Sequence, residues 1–302
     1  MTRVLCAGIA TLDQVFALDA MPIVPEKYRA ADLVVTTGGT AANAAVAVAR
    51  LGGEAVFWGA LGDDRLGDEI VAGLEAEGVD CAGVRRVEGR RSPLSAILVD
   101  RAGERLVISH SDPELPGATD HLPERLPAGV DAVLGDTRWQ AGSAHVFRLA
   151  RAAGVPALLD GDRAPRQRPE LLELATHVAF SMQGLRDLTG LDDPGAALAA
   201  LPPARAWVAV TNGAEGVFVR DGGAVVRVPA FPVAAVDTLG AGDTWHGAFV
   251  LALAEGMGER DAVRFACAAA AIKCTRPGGR NGAPTRAEVE AFLAACDIAR
   301  VG

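Results

Sequence analysis

Hydrophobic positions along this chain form short apolar runs that alternate with segments of helical periodicity. Residues 3–10 are typical of a buried first strand, and helices closed by glycine are predicted over 40–51 and 66–77. From residue 130 onward the order strand–helix repeats, which predicts a mostly parallel sheet with helices on both faces. The later predicted strands are 130–135, 155–160, 177–180, 206–211 and 216–220, and the later predicted helices are 141–153, 169–175, 193–201, 241–255, 259–274 and 285–296.

Two segments break this alternation and predict a small separate β-sheet. Residues 14–36 lack helical period, whereas 94–99 and 105–109 alternate like a hairpin around a turn at 100–103. We therefore expect one doubly wound α/β domain over 1–302, with a β lid built from insertions at about 14–36 and 84–112. The hairpin would expose an apolar face, so a homodimer that pairs through the lid is expected. That face comprises Leu94, Ala96, Leu98, Leu106 and Ile108.

Composition narrows the possible partners and the compartment. A formal net charge of −9 argues against nucleic acid or an anionic membrane as the main partner. The five cysteines are scattered and lack metal-type spacing, which indicates a reducing compartment. No apolar run reaches the roughly 18 residues of a membrane span, so a cytoplasmic protein is expected. Among the 29 basic residues only Lys27 and Lys273 are lysines.

The run from Asp237 to Asp243 carries the most chemical information. Gly240 and Gly242 allow backbone N–H groups to approach a ligand closely, and the start of a predicted helix adds unpaired donors and partial positive charge. Such a turn is an anion cradle. Asp243 would repel the anion unless it has a task, and accepting a proton from an attacking hydroxyl is one. The alternative is an aspartate that helps to cap a tight turn.

A second glycine cluster precedes the helix predicted at 40–51. Gly38 and Gly39 let a small polar ligand approach the backbone, and Asn43 can both donate and accept. Asp13, after the first strand, can accept hydrogen bonds from two neighbouring hydroxyls. The cluster therefore suits a ligand rich in hydroxyl groups. The alternatives are a plain turn with Thr40 as the helix N-cap, and a solvated aspartate.

Together these motifs resemble the ribokinase-like (phosphofructokinase B type) sugar kinases. The resemblance spans nearly the whole chain in the right order and rests on two independent signatures. It implies a ribokinase-like fold, a sugar substrate, and ATP with Mg²⁺. The matching segments are Gly38-Gly39 with Asn43, Ala49–Gly52, Gly59–Asp64 with Gly67, Asp237–Asp243, Arg264–Ala266, Thr275–Gly278 and Pro284-Thr285.

The resemblance also implies roles for individual residues. It makes Asp243 the catalytic base and assigns the transferring phosphoryl group to backbone N–H groups of Gly240, Ala241 and Gly242. By the resemblance, the residues that bind sugar hydroxyls are Asp13, Gly38, Gly39 and Asn43. The residues that bind the nucleotide are Thr211, Gly213, Gly216 and Gly242. A monovalent cation such as K⁺ would be bound by the Asp237 carboxylate and the carbonyls of Leu239, Lys273, Arg276 and Gly278.

One departure concerns Mg²⁺. Many members of the family carry an Asn-x-x-Glu motif that organises Mg²⁺ and phosphates through water. The corresponding stretch in this chain is Ser181-Met182-Gln183-Gly184, so both polar residues are absent. Mg²⁺ is still expected, because ATP can carry it with few protein ligands.

Within the family, several segments resemble the 6-deoxy-6-sulfofructose kinases most closely, which implies a ketohexose with an anionic group at C6. Lys27 and Arg138 are the candidate cations, and Ser109 on the lid is a further candidate substrate contact. Ser109-His110 departs from an Asn-Tyr pair in those enzymes, so a different acidic or phosphorylated ketose, or a 2-keto-3-deoxy sugar acid, stays open. The alternative substrates are 2-keto-3-deoxygluconate, fructose, ribose or a nucleoside. Alternatively, Arg138 pairs with Asp136 or Asp162, and Lys27 is solvated. His246 is expected to be structural.

Two other functional classes are less consistent with the sequence. A dinucleotide-binding oxidoreductase needs Gly-x-Gly-x-x-Gly after the first strand, where this chain has only Gly8. A non-catalytic sugar or nucleotide sensor would keep the fold without the base, and Asp243 argues against it.

Overall fold

The computed structural model describes residues 1–101, 104–115, 119–202 and 205–301. The strands in these ranges are β1 (Arg3–Ala7), β2 (Thr11–Ala17), β3 (Asp32–Gly38), β4 (Glu54–Trp58), β5 (Ala60–Gly62), β6 (Val79–Asp80), β7 (Arg85–Val87), β8 (Leu94–Val99), β9 (Arg105–His110), β10 (Val130–Asp136), β11 (Ala157–Gly161), β12 (His177–Ser181), β13 (Trp207–Thr211), β14 (Val217–Asp221) and β15 (Ala224–Val228). The α-helices are α1 (Thr40–Arg50), α2 (Arg65–Glu75), α3 (Gln140–Ala153), α4 (Leu171–Leu174), α5 (Met182–Thr189), α6 (Pro194–Ala200), α7 (Ala241–Ala254), α8 (Glu259–Cys274) and α9 (Arg286–Val301).

A nine-stranded sheet forms the body of the protein, in the order β15-β14-β13-β12-β11-β10-β1-β4-β6. All pairings are parallel except those of β14 with β13 and β15. One core, which includes Val46 and Phe249, lies between the sheet and helices α1, α7 and α8. A second core on the opposite face includes Phe147 and Leu198 from α3 and α6. The predicted doubly wound fold is confirmed.

A separate four-stranded sheet, in the order β3-β2-β8-β9, forms the lid. Its register places Asp13 opposite Thr36 on one side and Ser95 on the other, with Ser109 next in the row. Asp13 is therefore part of a lid strand, whereas the sequence suggested a position just after the first strand of the body. Residues 102 and 103 of the predicted hairpin turn lie outside the described residues.

Close packing of helices α1 and α7 positions two parts of the site. Gly247 on α7 faces α1, and a Cβ at this position would collide with the carbonyl of Ala44 and lie 2.8 Å from the Cβ of Ala47. The alanine-rich surface of α1 and this glycine let the two helix backbones approach directly. As a result Asn43 on α1 lies beside Asp243 on α7.

Some elements differ from the sequence prediction. The first strand ends at Ala7, and the chain enters the lid at Thr11. Helix α5 was not predicted, because it has only eight residues and only Gly184 and Leu185 of them are buried. Among the described residues no helix is long and apolar enough to cross a membrane.

Candidate active site

Some of the predicted site residues lie at the start of α7, close to the carboxyl ends of the central strands. Asp136 and Asp160 lie at the ends of β10 and β11 in adjacent positions of the register. Asp243 is in the first turn of α7. Ligands of doubly wound sheets bind at this edge, where the strand order reverses.

Asp243 is joined directly to the sugar-binding candidate Asn43. The Asn43 side-chain nitrogen donates to Asp243 Oδ2 at 2.7 Å, across 200 residues of sequence. Burial raises the pKa of Asp243 to about 7; the Asn43 hydrogen bond opposes this rise, and the charges of Asp162, Asp13 and Asp136 reinforce it. A carboxylate with a pKa near neutrality is suited to general-base catalysis.

Asp13, Gly38 and Gly39 lie together where the lid meets the start of α1. Asp13 accepts a hydrogen bond from Thr11 Oγ1 at 2.7 Å, and burial raises its pKa. A Cβ at Gly38 would collide with the Asp13 carboxylate. Gly39 is the N-cap of α1 with φ 98°, and a Cβ there would lie 2.5 Å from the carbonyl of Ile9. Both glycines are therefore required by the structure.

Several buried polar atoms near these residues lack a protein partner. Among the described residues they include Asn43 Oδ1, Thr37 Oγ1, and Nε and Nη1 of Arg280. The charge of Arg280 acts on Asp13, which places the guanidinium near the lid. Unpaired buried polar atoms are costly, and a ligand rich in hydroxyl groups would satisfy them. Thr37 and Arg280 received no role from the sequence, although Thr37 directly precedes Gly38 and Arg280 follows Gly278-Gly279.

The turn before α7 has the geometry of an anion cradle. Gly240 is the N-cap with φ 76°. The Ala241 N–H, which was expected to hold the phosphoryl group, instead donates to Thr238 O at 3.2 Å and closes the turn. A Cβ on Gly242 would meet nothing within 4 Å, so the protein itself does not require glycine there. That space is available to a ligand that approaches the backbone.

Lys273 lies where the monovalent cation was expected. Its side chain is completely buried, and its Nζ donates to Asp237 O at 2.7 Å and lies 3.3 Å from Asp237 Oδ2. Burial lowers the pKa of Lys273, and the charge of Asp237 opposes this. Burial also tends to raise the pKa of Asp237, but the N–H groups of Gly279 and Leu239 and the Lys273 ammonium outweigh it, and the net shift is downward.

The expected ligand set does not fit a metal ion, which corrects the role expected for these residues. The Asp237 carboxylate was expected to bind the cation, but its Oδ2 lies 3.3 Å from the Lys273 ammonium, and a metal ion there would meet a like charge at short range. The other carboxylate oxygen, Oδ1, accepts a hydrogen bond from Leu239 N at 2.8 Å.

The candidate anion-binding residues lie in different surroundings. Arg138 donates through Nε and Nη2 to Asp162 Oδ2 at 2.9 and 2.5 Å, so the ion-pair alternative is what the structure shows. Its side chain keeps 44% exposure. Lys27 is exposed on the loop between β2 and β3. Ser109 is exposed and lies in the row that contains Asp13.

Asp136 holds several segments near the site together through hydrogen bonds, although the sequence assigned it no chemical role. It is fully buried and accepts from Ile9 N and Thr40 Oγ1 at 2.8 Å, and from the N–H groups of Arg138 and Trp139 at 2.9 and 3.0 Å. These bonds tie the ends of β1 and β10 to the start of α1. The Thr40 side chain therefore supports Asp136, while Gly39 is the N-cap.

His246 is structural in this arrangement. Its two ring nitrogens lie 2.8 Å from Gly242 O and 3.1 Å from Ala179 O, and burial lowers its pKa. Its Nδ1 also lies 3.4 Å from Asp160 Oδ2, and burial raises the pKa of Asp160 well above its usual value. The imidazole thus connects the start of α7 to the central sheet.

The predicted nucleotide-binding residues lie at the ends of β12 and β13. Thr211 is paired with Ser181 in the parallel register and donates to Phe180 O at 3.3 Å. Gly213 and Gly216 bound a short turn with φ 49° and 97°, and a Cβ on Gly216 would collide with Val228 O. Ser181 caps α5 by accepting from Gly184 N at 3.0 Å.

Comparison with known proteins identifies the family. The family model of the pfkB family carbohydrate kinases matches residues 1–286. The chain therefore belongs to this family of ATP-dependent carbohydrate kinases, whose members transfer a phosphoryl group to a sugar hydroxyl.

Relatives across the whole chain carry the names of sugar kinases. A ribokinase from Bacillus subtilis (strain 168) is 31% identical over 97% of this chain and 100% of its own length. A structure from Agrobacterium tumefaciens described as a candidate ribokinase is 41% identical, with a TM-score of 0.89 over 98% of this chain and 99% of that one. Arabidopsis thaliana ribokinase, solved with ribose and ATP, is 26% identical with a TM-score of 0.79 over 97% and 98%.

Proposed function

We propose that this protein uses MgATP to phosphorylate a hydroxyl group of a small sugar bound between the lid and α1. The observation that carries the proposal is the hydrogen bond from Asn43 to Asp243. It brings a residue of the predicted sugar pocket into contact with the carboxylate at the lip of the anion cradle. A hydroxyl held there would lie between a base and a phosphoryl group.

In the proposed reaction the protein mainly positions groups and stabilises charge. The sugar is held by Asp13, Asn43 and the backbone at Gly39. Asp243 accepts the proton of the attacking hydroxyl as the bond to phosphorus forms. The transferring phosphoryl group rests on the N–H groups that begin α7, where the helix dipole is positive.

ATP is proposed to lie along the carboxyl ends of β12 and β13, with Thr211, Gly213 and Gly216 as contacts. Among the residues that the structure describes, no group of three or more His, Cys, Asp or Glu side chains is arranged to hold a metal ion. The Asn-x-x-Glu motif is also missing from the sequence. Mg²⁺ is proposed to arrive as part of the nucleotide substrate and to neutralise its phosphates, because ATP can carry it with few protein ligands.

For the sugar we propose a ketohexose that carries an anionic group. A small cavity beside the pocket is lined by Gly8, Ile9, Pro93, Ser111 and Arg138, and Arg138 is the charged residue among its described lining residues. Ile9 also lies next to Gly39, whose Cβ would be 2.5 Å from the Ile9 carbonyl, so the cavity borders the glycine-rich turn before α1. The exposed part of Arg138 can reach a distal anion, with Lys27 and Ser109 as further candidates on the lid.

The test is ADP formation across a sugar panel that contains ribose, fructose, 2-keto-3-deoxygluconate and 6-deoxy-6-sulfofructose. The expected result is turnover that depends on sugar, with the highest kcat/KM for an anionic ketose. Asp243→Asn should lose roughly 10²–10⁴-fold in kcat while it still binds nucleotide. Binding of ATP or sugar without turnover would favour a sensor. A preference for ribose or fructose would reject the proposal of an anionic substrate but would leave the proposed sugar kinase activity standing.

We also propose a homodimer formed through the outer face of the lid. Leu33, Val35, Leu106 and Ile108 are 49%, 51%, 44% and 61% exposed, and the lid register aligns them on one face of the sheet. Such a face is an association surface if it is covered in solution. Light scattering should show a dimer that Ile108→Lys dissociates. A wild-type monomer at micromolar concentration would reject this assembly.

A further inference from the structure

The turn that forms the anion cradle is held at its other end by a buried positive charge. Asp237 begins this turn, and both its backbone oxygen and its Oδ2 face the Lys273 ammonium, at 2.7 and 3.3 Å. Lys273 comes from the last turn of α8, where the helix dipole favours a cation. The ammonium therefore lies beside two oxygen atoms of the residue that begins the turn.

The hydrogen bonds of Asp237 are satisfied within the protein. Oδ1 accepts from Leu239 N at 2.8 Å, and Oδ2 accepts from Gly279 N at 2.8 Å and faces the ammonium. A metal ion on the same two Asp237 oxygens would sit against the ammonium, and like charges at that distance repel strongly. The site is complete without an added cation.

The identity of the residue supports the same conclusion. Arginine supplies all but two of the 29 basic residues, yet this fully buried position carries lysine. A lysine ammonium is a compact point charge with three donors, whereas guanidinium is planar and wider. The position between Asp237 O and Asp237 Oδ2 therefore suits the compact ammonium better than a guanidinium.

We propose that the Lys273 ammonium is the built-in monovalent cation of the phosphoryl-transfer site, so that this kinase works without K⁺ or any other monovalent metal ion. The inference rests on the proposed sugar kinase function. Lys273 fixes Asp237 and thereby the turn from Thr238 to Gly242 that receives the phosphoryl group. It acts as a positioning residue and does not touch the reacting atoms.

The experiment compares the wild-type enzyme with Lys273→Met, which removes the charge and keeps a long side chain. Turnover is measured in a tetramethylammonium buffer with and without added K⁺, and ADP is quantified directly so that no coupling enzyme introduces a cation requirement. The matched control is Arg151→Met, an exposed basic residue in the last turn of α3.

Wild-type and control enzymes should show the same kcat with and without K⁺. Lys273→Met should lose about 10²-fold in kcat without K⁺, the scale for a lost electrostatic contact, and recover at least about tenfold when K⁺ is added. K⁺ should also raise the Tm of Lys273→Met and leave that of the wild type unchanged. Rescue by K⁺ is a result that a purely structural lysine would not give.

Activation of the wild-type enzyme by K⁺ would overturn the inference, and this measurement needs no variant. A folded Lys273→Met that is inactive with K⁺ and shows no K⁺-dependent change in Tm would also overturn it. Absence of sugar-dependent turnover in every buffer would count against the proposed function. The Tm comparison would then still decide whether Lys273 occupies a cation position.

Discussion

The raised pKa of Asp243 predicts a specific dependence of catalysis on pH. A general base works in its ionised form, and burial among other carboxylates raises the pKa of Asp243 to about 7. The ionised fraction then grows from about one tenth at about pH 6 to about nine tenths at about pH 8, so kcat/KM should rise about tenfold across that interval. A solvated aspartate would give a flat profile over the same range.

The same shift predicts how Asp243 affects stability. Folding raises the pKa, so the folded state holds the proton more tightly than the unfolded chain. Stability from this group is complete below its usual pKa of 3.8 and is lost as the pH rises through about 7. The shift is about three pKa units, which corresponds to about 4 kcal/mol as an upper value. Asp243→Asn should therefore raise the free energy of unfolding above neutral pH and have little effect near pH 4.

The assay measures kcat/KM against pH for the wild type and for the residual activity of Asp243→Asn, together with urea unfolding of both. The terminal phosphate of ATP ionises near the same pH, with a pKa of about 6 for phosphate groups of this kind, and the variant controls for it. Only the wild type should show the acidic limb assigned to Asp243. An identical limb in both proteins, or a variant that is less stable at alkaline pH, would refute this reasoning.

Three further substitutions test the geometry of the site. Gly242→Ala should retain wild-type stability and lose about 10²-fold or more in kcat, because the new methyl group enters the position proposed for the phosphoryl group. The control is Gly195→Ala, the second residue of α6 as Gly242 is of α7, and this variant should have the kcat of the wild-type enzyme. Gly247→Ala should lower the free energy of unfolding by about 1–3 kcal/mol and reduce kcat, since it separates α1 from α7; an active, fully stable variant in urea unfolding would contradict the packing argument. Arg105→Ala removes the 3.1 Å hydrogen bond from the lid to Thr238 and should raise KM for the sugar by about two- to tenfold, measured in steady-state kinetics, with kcat nearly unchanged.

The sequence allowed the backbone geometry of the cradle to be predicted because that geometry is local. Gly240, Gly242 and Asp243 are consecutive or nearly so, and a glycine turn before a helix has the same backbone donors in any fold. Gly39 was likewise identifiable from its position before α1. In each case the function depends on the backbone conformation of a few adjacent residues.

Contacts between distant segments could not be predicted in this way. The Asn43–Asp243 hydrogen bond depends on how closely α1 and α7 pack, and that distance is set by Gly247. Lys273 was expected to act through its carbonyl, because no sequence pattern specifies which way a side chain at a helix end turns. The structure shows that its ammonium turns toward Asp237.

The turn from Asp237 to Asp243 has opposite electrostatic surroundings at its two ends: the pKa of Asp237 is lowered and the pKa of Asp243 is raised. At one end the Lys273 ammonium and two backbone N–H groups lower the pKa of Asp237, which stays ionised and anchors the turn. At the other end burial and neighbouring carboxylates raise the pKa of Asp243 to about 7, so that it can accept a proton. Under the proposed mechanism these two aspartates, whose pKa values are moved apart by their surroundings, would take different roles in one reaction. Lys273 would anchor the turn through Asp237, and Asp243, whose pKa is raised, would act as the base.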